Sequence, residues 1–140
     1  NIGFTYLRLG EQRNDPEALR AAVDAYRSVL QERTRARNAD DWASSQFSLA
    51  GALYALGIRE SGTASLRDAV VSYRAALEER TRERNARRWA EAVNSLGLAL
   101  VLWGERDRNR VIVDEAVTAY RAALQTGGTI LNMSLLDYLR

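Results

Sequence analysis

Residues 19–38 read LRAAVDAYRSVLQERTRARN, and residues 66–85 read LRDAVVSYRAALEERTRERN. Thirteen of these twenty aligned pairs are identical, without a gap, at a spacing of 47 residues. The same step carries Tyr26 to Tyr73 and Tyr120, Trp42 to Trp89, Gly10 to Gly57 and Gly104, and Asn38 to Asn85 and Asn132. Self-similarity on this scale means that one supersecondary unit is copied about three times, the mark of a repeat architecture.

Two segments of each unit have helical spacing. In the second segment Leu66, Ala69, Val70, Tyr73, Ala76 and Leu77 fall on one stripe, and Leu19, Ala22, Val23, Tyr26, Val29, Leu30 and Val113, Ala116, Val117, Tyr120, Ala123, Leu124 are its copies. Apolar residues at these intervals bury one face of an α-helix. Asp15 and Pro16 supply an N-cap and a first helical residue, Asn109 takes the cap place in the third copy, and Gly62 stands there in the second. The first segment runs from Trp42 through Leu49, Ala50 and Leu53 to Leu56 and Gly57, and again from Trp89 through Val93, Leu96, Gly97 and Leu100 to Trp103 and Gly104. The asparagine four residues before each tryptophan is expected to cap the incoming helix, and the closing glycine suits a left-handed C-cap. The repeated tyrosines and the tryptophans are assigned to the core. Trp103 stands where the other units have leucine, an overfilled position.

A single hairpin of this kind cannot bury both faces of its own helices, so successive hairpins must stack. The expected fold is all-α, an α-solenoid of stacked antiparallel helix hairpins, with Ala50 and Gly97 where helices approach closest. Residues 1–140 form one array: 1–37 a partial first repeat, 38–84 a second, 85–131 a third, and 132–140 the stub of a capping helix. In register, Asn1–Gly10 matches Ser48–Gly57, so the sequence is expected to open partway along a first helix. The tail has a second reading as an amphipathic peptide that docks on another copy through Leu135, Leu136 and Leu139.

Composition narrows the function. The chain has 20 basic and 18 acidic residues, a net charge of +2, and neither cysteine nor histidine. The usual zinc ligands, the usual general base and the Ser-His and Cys-His nucleophile pairs are thereby removed. No cofactor or metal is expected, and the chain is read as not an enzyme. All the basic residues are arginine, read first as the imprint of a GC-rich genome and second as favouring planar bidentate contacts. The run Glu78-Glu79-Arg80-Thr81-Arg82-Glu83-Arg84 mixes signs and lacks interleaved aromatics. It is read as a solvated helix face, and no nucleic-acid partner is expected. Asp40-Asp41 and Asp114-Glu115 are adjacent in sequence, so they diverge on a helix and make no acid–base couple. No apolar run is long enough to cross a membrane and no signal peptide is visible, which gives a cytoplasmic expectation.

These residues resemble the tetratricopeptide repeat. Leu96-Gly97 with Leu100 is similar to that family's first-helix pattern, and Ala116, Tyr120, Ala123 and Ala69, Tyr73, Ala76 to its second. In the first copy Ala22 and Tyr26 match, with Val29 in place of the last alanine. The family unit has about 34 residues, so the longer unit here places about seven extra residues near Ile58–Thr63 and about six near Thr81–Asn85. The family's junction proline is missing, which allows the second helix to run on. The resemblance implies a bacterial-type scaffold that holds a protein or peptide, an amphipathic or hydrophobic segment, in a groove lined by the first helices. Carried over, the groove positions are Arg8, Ser44, Phe47, Tyr54, Glu91, Asn94, Leu98 and Val101. The resemblance also implies a possible role as the regulatory part of a larger protein. Packing of the same side chains against a neighbouring layer is the other reading of the groove, and homo-oligomer formation the other reading of the function.

Overall fold

Helix starts are written by side chains that accept from the first free amides. In the computed structural model, which describes residues 2–125, Asp15 opens α2 (Pro16–Glu32) by accepting from the amides of Glu17 and Ala18 at 3.0 and 3.4 Å. Asn38 opens α3 (Ala39–Gly57) by accepting from Asp41 N, and Asn85 opens α5 (Ala86–Arg106) by accepting from Arg88 N, both at 3.0 Å. Asn109 serves α6 (Arg110–Leu124) in the same way, through the amides of Val111 and Ile112. The expected asparagine caps are therefore present in the described units. The remaining helices are α1 (Ile2–Arg13) and α4 (Ala64–Leu77).

The start of α4 differs from the expectation. Its cap residue is Thr63, one place beyond Gly62, and no side chain caps it. A guanidinium from the next unit serves this loop instead: Arg106 donates to the carbonyls of Gly57 at 2.7 Å, Gly62 at 2.8 Å and Ile58 at 3.3 Å.

The recurring glycines are not left-handed caps. In α1 and α5 the left-handed residue is Asn14 (φ 52°) or Arg108 (φ 51°), four positions after the glycine. The following amide closes back on the glycine carbonyl, Asp15 N to Gly10 O at 2.9 Å and Asn109 N to Gly104 O at 2.8 Å, as in a Schellman ending. The glycines are instead sites of close approach. A Cβ on Gly10 would lie 2.6 Å from Leu19 Cγ, one on Gly57 2.8 Å from Leu66 Cγ, and one on Gly104 2.7 Å from Val113 Cγ2. Each bare glycine thus makes a flat on which the first stripe residue of the next helix rests.

Each helix packs on the one before and the one after, and α3 also touches α1 and α5. The described residues are all-α, with no strand. The predicted stripes face inward: Leu19, Leu66, Ala22, Ala69, Ala116 and Tyr120 are fully buried, with Tyr26 and Tyr73 almost so. One core runs through every helix pair from Ala22 and Tyr26, past Leu53, Tyr73 and Leu100, to Ala116 and Tyr120. Burying each large side chain stabilises by about 1.5–3 kcal/mol. Ala50 and Gly97 are buried. No helix among the described residues is long and apolar enough to cross a membrane. The repeat boundary at 131, Asn132, the tail 132–140 and its leucines lie outside the described residues.

Two further expectations change. The expected loop Ile58–Thr63 separates α3 from α4, but α5 and α6 are joined only by Asp107–Asn109, so the added length is shared with long first helices of 19 and 21 residues and with the junctions. The second helix runs on in the first unit, where α2 reaches Glu32, the copy of Glu79, but not in the second: α4 stops at Leu77, so Glu78–Arg84 is a non-helical junction and not a solvated helix face. Nor are the tryptophans sealed in the core. Trp42, Trp89 and Trp103 are half-buried, and arginines lie over the first two.

Candidate binding surface

The junction arginines make cross-unit contacts. Arg35 donates to Glu78 at 2.6 Å and pairs with Glu79 at 3.5 Å, while Arg84 pairs with Asp40 at 3.2 Å and Glu79 at 3.6 Å. Glu79 is the best shielded of these, its side chain 15% exposed, so its pairs weigh more than the exposed ones, worth about 0–1 kcal/mol each. The 47-residue step recurs in the pairs Arg27–Asp68 and Arg74–Glu115. It recurs again in the stacks of Arg35 over Trp42 and Arg82 over Trp89, at 5.1 and 5.5 Å. Of the adjacent carboxylates, Asp40 pairs with Arg84, Asp114 with Arg110 and Glu115 with Arg74. Among the described residues no cluster of His, Cys, Asp and Glu could hold a metal ion.

Three of the predicted groove residues gather around a side chain that sequence reasoning passed over. Arg80 lies 4.6 Å over the Phe47 ring and donates to Ser44 Oγ at 3.3 Å. Its pKa is lowered, chiefly by burial and then by Arg88, while Glu91 acts in the opposite direction. Phe47 in turn meets Tyr73 edge-on, with ring centroids 5.6 Å apart. Glu91 also pairs with Arg87 at 3.5 Å, one helical turn away. Arg80 was hidden inside a mixed-charge run, and the only sequence sign of its role is its copy, Arg33, one step earlier.

The other predicted residues divide by exposure. Tyr54 and Leu98 are half-buried and pack against the core from outside. Burial raises the Tyr54 hydroxyl pKa, and nearby Arg106 partly offsets the rise. Asn94 and Val101 are each 8% exposed, inside the stack. Arg8 is exposed on α1 with its guanidinium 5.8 Å over Phe4, apart from the Arg80 group.

A cleft of about 620 Å³ opens between α2 and α3, lined by Ala25, Tyr26, Ser28, Val29 and Arg33 on one side and Asp41, Ser44, Ser45 and Ser48 on the other, with Gly3 at one end. Ser44 is the one predicted groove residue in it. A smaller hollow of about 250 Å³ adjoins it along the junction and shares Arg33 and Asp41. Below the cleft, burial raises the Tyr26 hydroxyl pKa and a hydrogen bond with Ser48 lowers it; the same pairing recurs as Tyr73 with Ser95, where burial drives the shift further. The surface thus offers apolar floors, aromatic edges and guanidinium planes. No family model, curated protein or solved structure matches the chain.

Proposed function

We propose that this chain is a tetratricopeptide-like α-solenoid acting as a non-catalytic scaffold for a protein or peptide segment. The observation that carries the reading is that contacts recur at the sequence step. Leu19, Leu66 and Val113 seat on Gly10, Gly57 and Gly104, and Arg27–Asp68 is copied as Arg74–Glu115. Units that bond equivalently to their neighbours build an extended surface without a central cavity, and such surfaces serve as binding platforms. On the first helices, half-buried Phe47, Tyr54 and Leu98 present apolar area, with Arg80 and Glu91 at its border. An amphipathic helix or hydrophobic peptide is the ligand class that such a strip accepts. Asn94 and Val101, each buried, add no exposed area to the strip.

The test uses the immobilised chain to capture a partner, followed by its identification and by titration against Tyr54→Ala and Leu98→Ala. Each substitution is expected to weaken binding by roughly tenfold, the scale of a lost apolar anchor, with the helical spectrum unchanged. Unaltered affinity in both variants would sink the groove reading.

Exposed apolar side chains favour a second reading, self-assembly. Phe4 is 53% and Tyr6 39% exposed, on different sides of α1, and exposed apolar area favours association. Light scattering across a concentration series distinguishes the two, because a mass that stays monomeric rules out assembly as the main role.

A further inference from the structure

Glycine inside a helix lowers stability relative to alanine, so a helix-interior glycine needs a reason of conformation or of space. For Gly3, Gly10, Gly57 and Gly104 the reason is space: a Cβ at each would stand 2.6 to 2.9 Å from a side chain of the following helix. Gly51 has neither reason. It lies well inside α3, outside the left-handed region, and a Cβ there would meet no atom within 4 Å. The residues one step before and after it are Phe4 and Leu98, both large and apolar. Among the described residues none uses the space that the missing side chain leaves.

Phe47, Gly51 and Tyr54 follow one another at i, i+4 and i+7, so they share a face of α3. The notch at Gly51 therefore has half-buried aromatic shoulders on both sides along the helix. Arg80 lies over Phe47 at one end, and Arg106 acts on Tyr54 at the other. Arg80 bonds Ser44 Oγ and Arg106 bonds the carbonyls of Gly57, Ile58 and Gly62, so both guanidinium charges rest on neutral partners. Arg88 adds a like charge beside Arg80, and Glu91, the carboxylate that acts on Arg80, is paired with Arg87. The border of the notch is basic. Two copies of this face would set arginine against arginine, which disfavours self-pairing through it.

We infer that the notch at Gly51 receives one bulky apolar side chain from an acidic amphipathic helix of a partner protein, seated between Phe47 and Tyr54 with its carboxylates directed to Arg80 and Arg106. The anchor enters as a knob enters a hole, and the missing Cβ lets the partner's helix approach α3 more closely than any side chain there would allow. The stretch from Phe47 to Tyr54 spans roughly 10 Å along the axis, at about 1.5 Å per residue. The matching carboxylates therefore stand about one turn before and one turn after the anchor. The inference rests on the scaffold reading, gives its ligand an acidic chemistry and makes Gly51 the residue that admits the anchor.

The probe is a phage-displayed library of helix-forming peptides of about 15 residues, long enough to hold a helix, with one face randomised and selected on the immobilised full chain. Enriched sequences are expected to share one large apolar residue with Asp or Glu about one turn to either side. An enriched peptide, dye-labelled, is then titrated with the chain by fluorescence anisotropy. Gly51→Leu and Gly51→Gln fill the notch with good helix formers, so both should melt no lower than the parent chain. Each is expected to weaken binding about tenfold or more, the scale of a lost apolar anchor, and added salt should weaken the parent's binding too. Enrichment of basic or uncharged sequences, or no enrichment, overturns the proposal. Undiminished binding by either Gly51 variant, or affinity indifferent to salt, overturns it also. If the chain's own mass rises with concentration and Gly51→Leu abolishes the rise, the occupant is a second copy and the proposal fails. Peptides that lose affinity for Tyr54→Ala and Leu98→Ala but for neither Gly51 variant remove the notch and leave the scaffold reading intact; peptides indifferent to all four variants remove both.

Discussion

One chemical change, glycine to alanine, is expected to act with opposite sign at two helical positions. At Gly51, within α3, a Cβ would meet no atom within 4 Å. Gly51→Ala therefore gains only the helix preference of alanine, about 0.8–1 kcal/mol. At Gly104 in α5 the added carbon would stand 2.7 Å from Val113 Cγ2, 3.0 Å from Val113 N and 3.2 Å from Asn109 O. The methyl group can turn aside, but the amide and the carbonyl belong to the turn in which Arg108 is already held at φ 51°. Forcing α6 outward costs about 1–3 kcal/mol as overpacking, which outweighs the same propensity gain. The two variants should differ by about 2 kcal/mol, or roughly 4–8 °C in melting temperature for a chain of this size. Thermal and urea unfolding followed by circular dichroism measure the difference, and Gly57→Ala should side with Gly104→Ala because Leu66 N would lie 3.2 Å from its Cβ. A Gly104→Ala variant as stable as Gly51→Ala would refute the close-approach assignment.

Asn85→Ala removes the acceptor for Arg88 N and should cost about 1 kcal/mol in urea unfolding. Arg106→Gln leaves the carbonyls of Gly57, Ile58 and Gly62 without their guanidinium; a loss of about 1–2 kcal/mol is expected, with faster amide exchange across residues 58–63. Burial raises the hydroxyl pKa of Tyr26, Tyr54 and Tyr73 above the ordinary 10.0, so above about pH 10 the unfolded chain loses these protons first. Stability should then fall as pH rises, by up to about 1.4 kcal/mol per unit for each tyrosine, and be flat in this respect below that pH. Phenolate absorbance should grow in step with loss of helix, and Tyr73→Phe should shallow the slope; an unchanged slope would remove Tyr73 from the account.

The helices, their inward stripes and their asparagine caps were legible because each depends on residues within about one or two turns in sequence. Tyr73 lies with Leu66, Ala69 and Val70 on one face at any packing angle, and Asn85 needs only Arg88 N. The glycines were misread because a glycine at a helix end has two physical explanations, freedom in φ and absence of a Cβ, and sequence does not separate them. At Gly104 the neighbouring Val113 decides for the second. The arginines were illegible for a different reason. Several of their partners lie 36 to 49 residues away, as in Arg80–Ser44 and Arg106–Gly57, and a long flexible side chain leaves no periodic trace of its direction. Of the candidate site, Ser44, Phe47 and Glu91 were anticipated from the family resemblance, and Arg80, which joins them, was not.

The arginines and the apolar stripes carry different parts of the coupling between units. Stripe residues join each helix to its neighbours in sequence, within a hairpin as Leu66 does on Gly57 and between hairpins through the shared core. Arg59 and Arg106, one step apart, reach back to the preceding part of the chain instead. Arg59 donates to Asn14 Oδ1 at 2.6 Å and to Ala55 O, and Arg106 holds three carbonyls of the loop before α4. Arg27 and Arg74, and Arg35 with Glu78 and Glu79, add forward ties at the same interval. In a quasi-one-dimensional stack, interface terms set how firmly one unit orients the next. A planar guanidinium can engage two or three acceptors at once, whereas an ammonium acts as a point charge on a flexible stem. An arginine-only complement therefore has a structural consequence whatever its genomic origin: one guanidinium, Arg106, ties α5 to three carbonyls of the loop before α4 at once, which a single ammonium on a flexible stem is less suited to do.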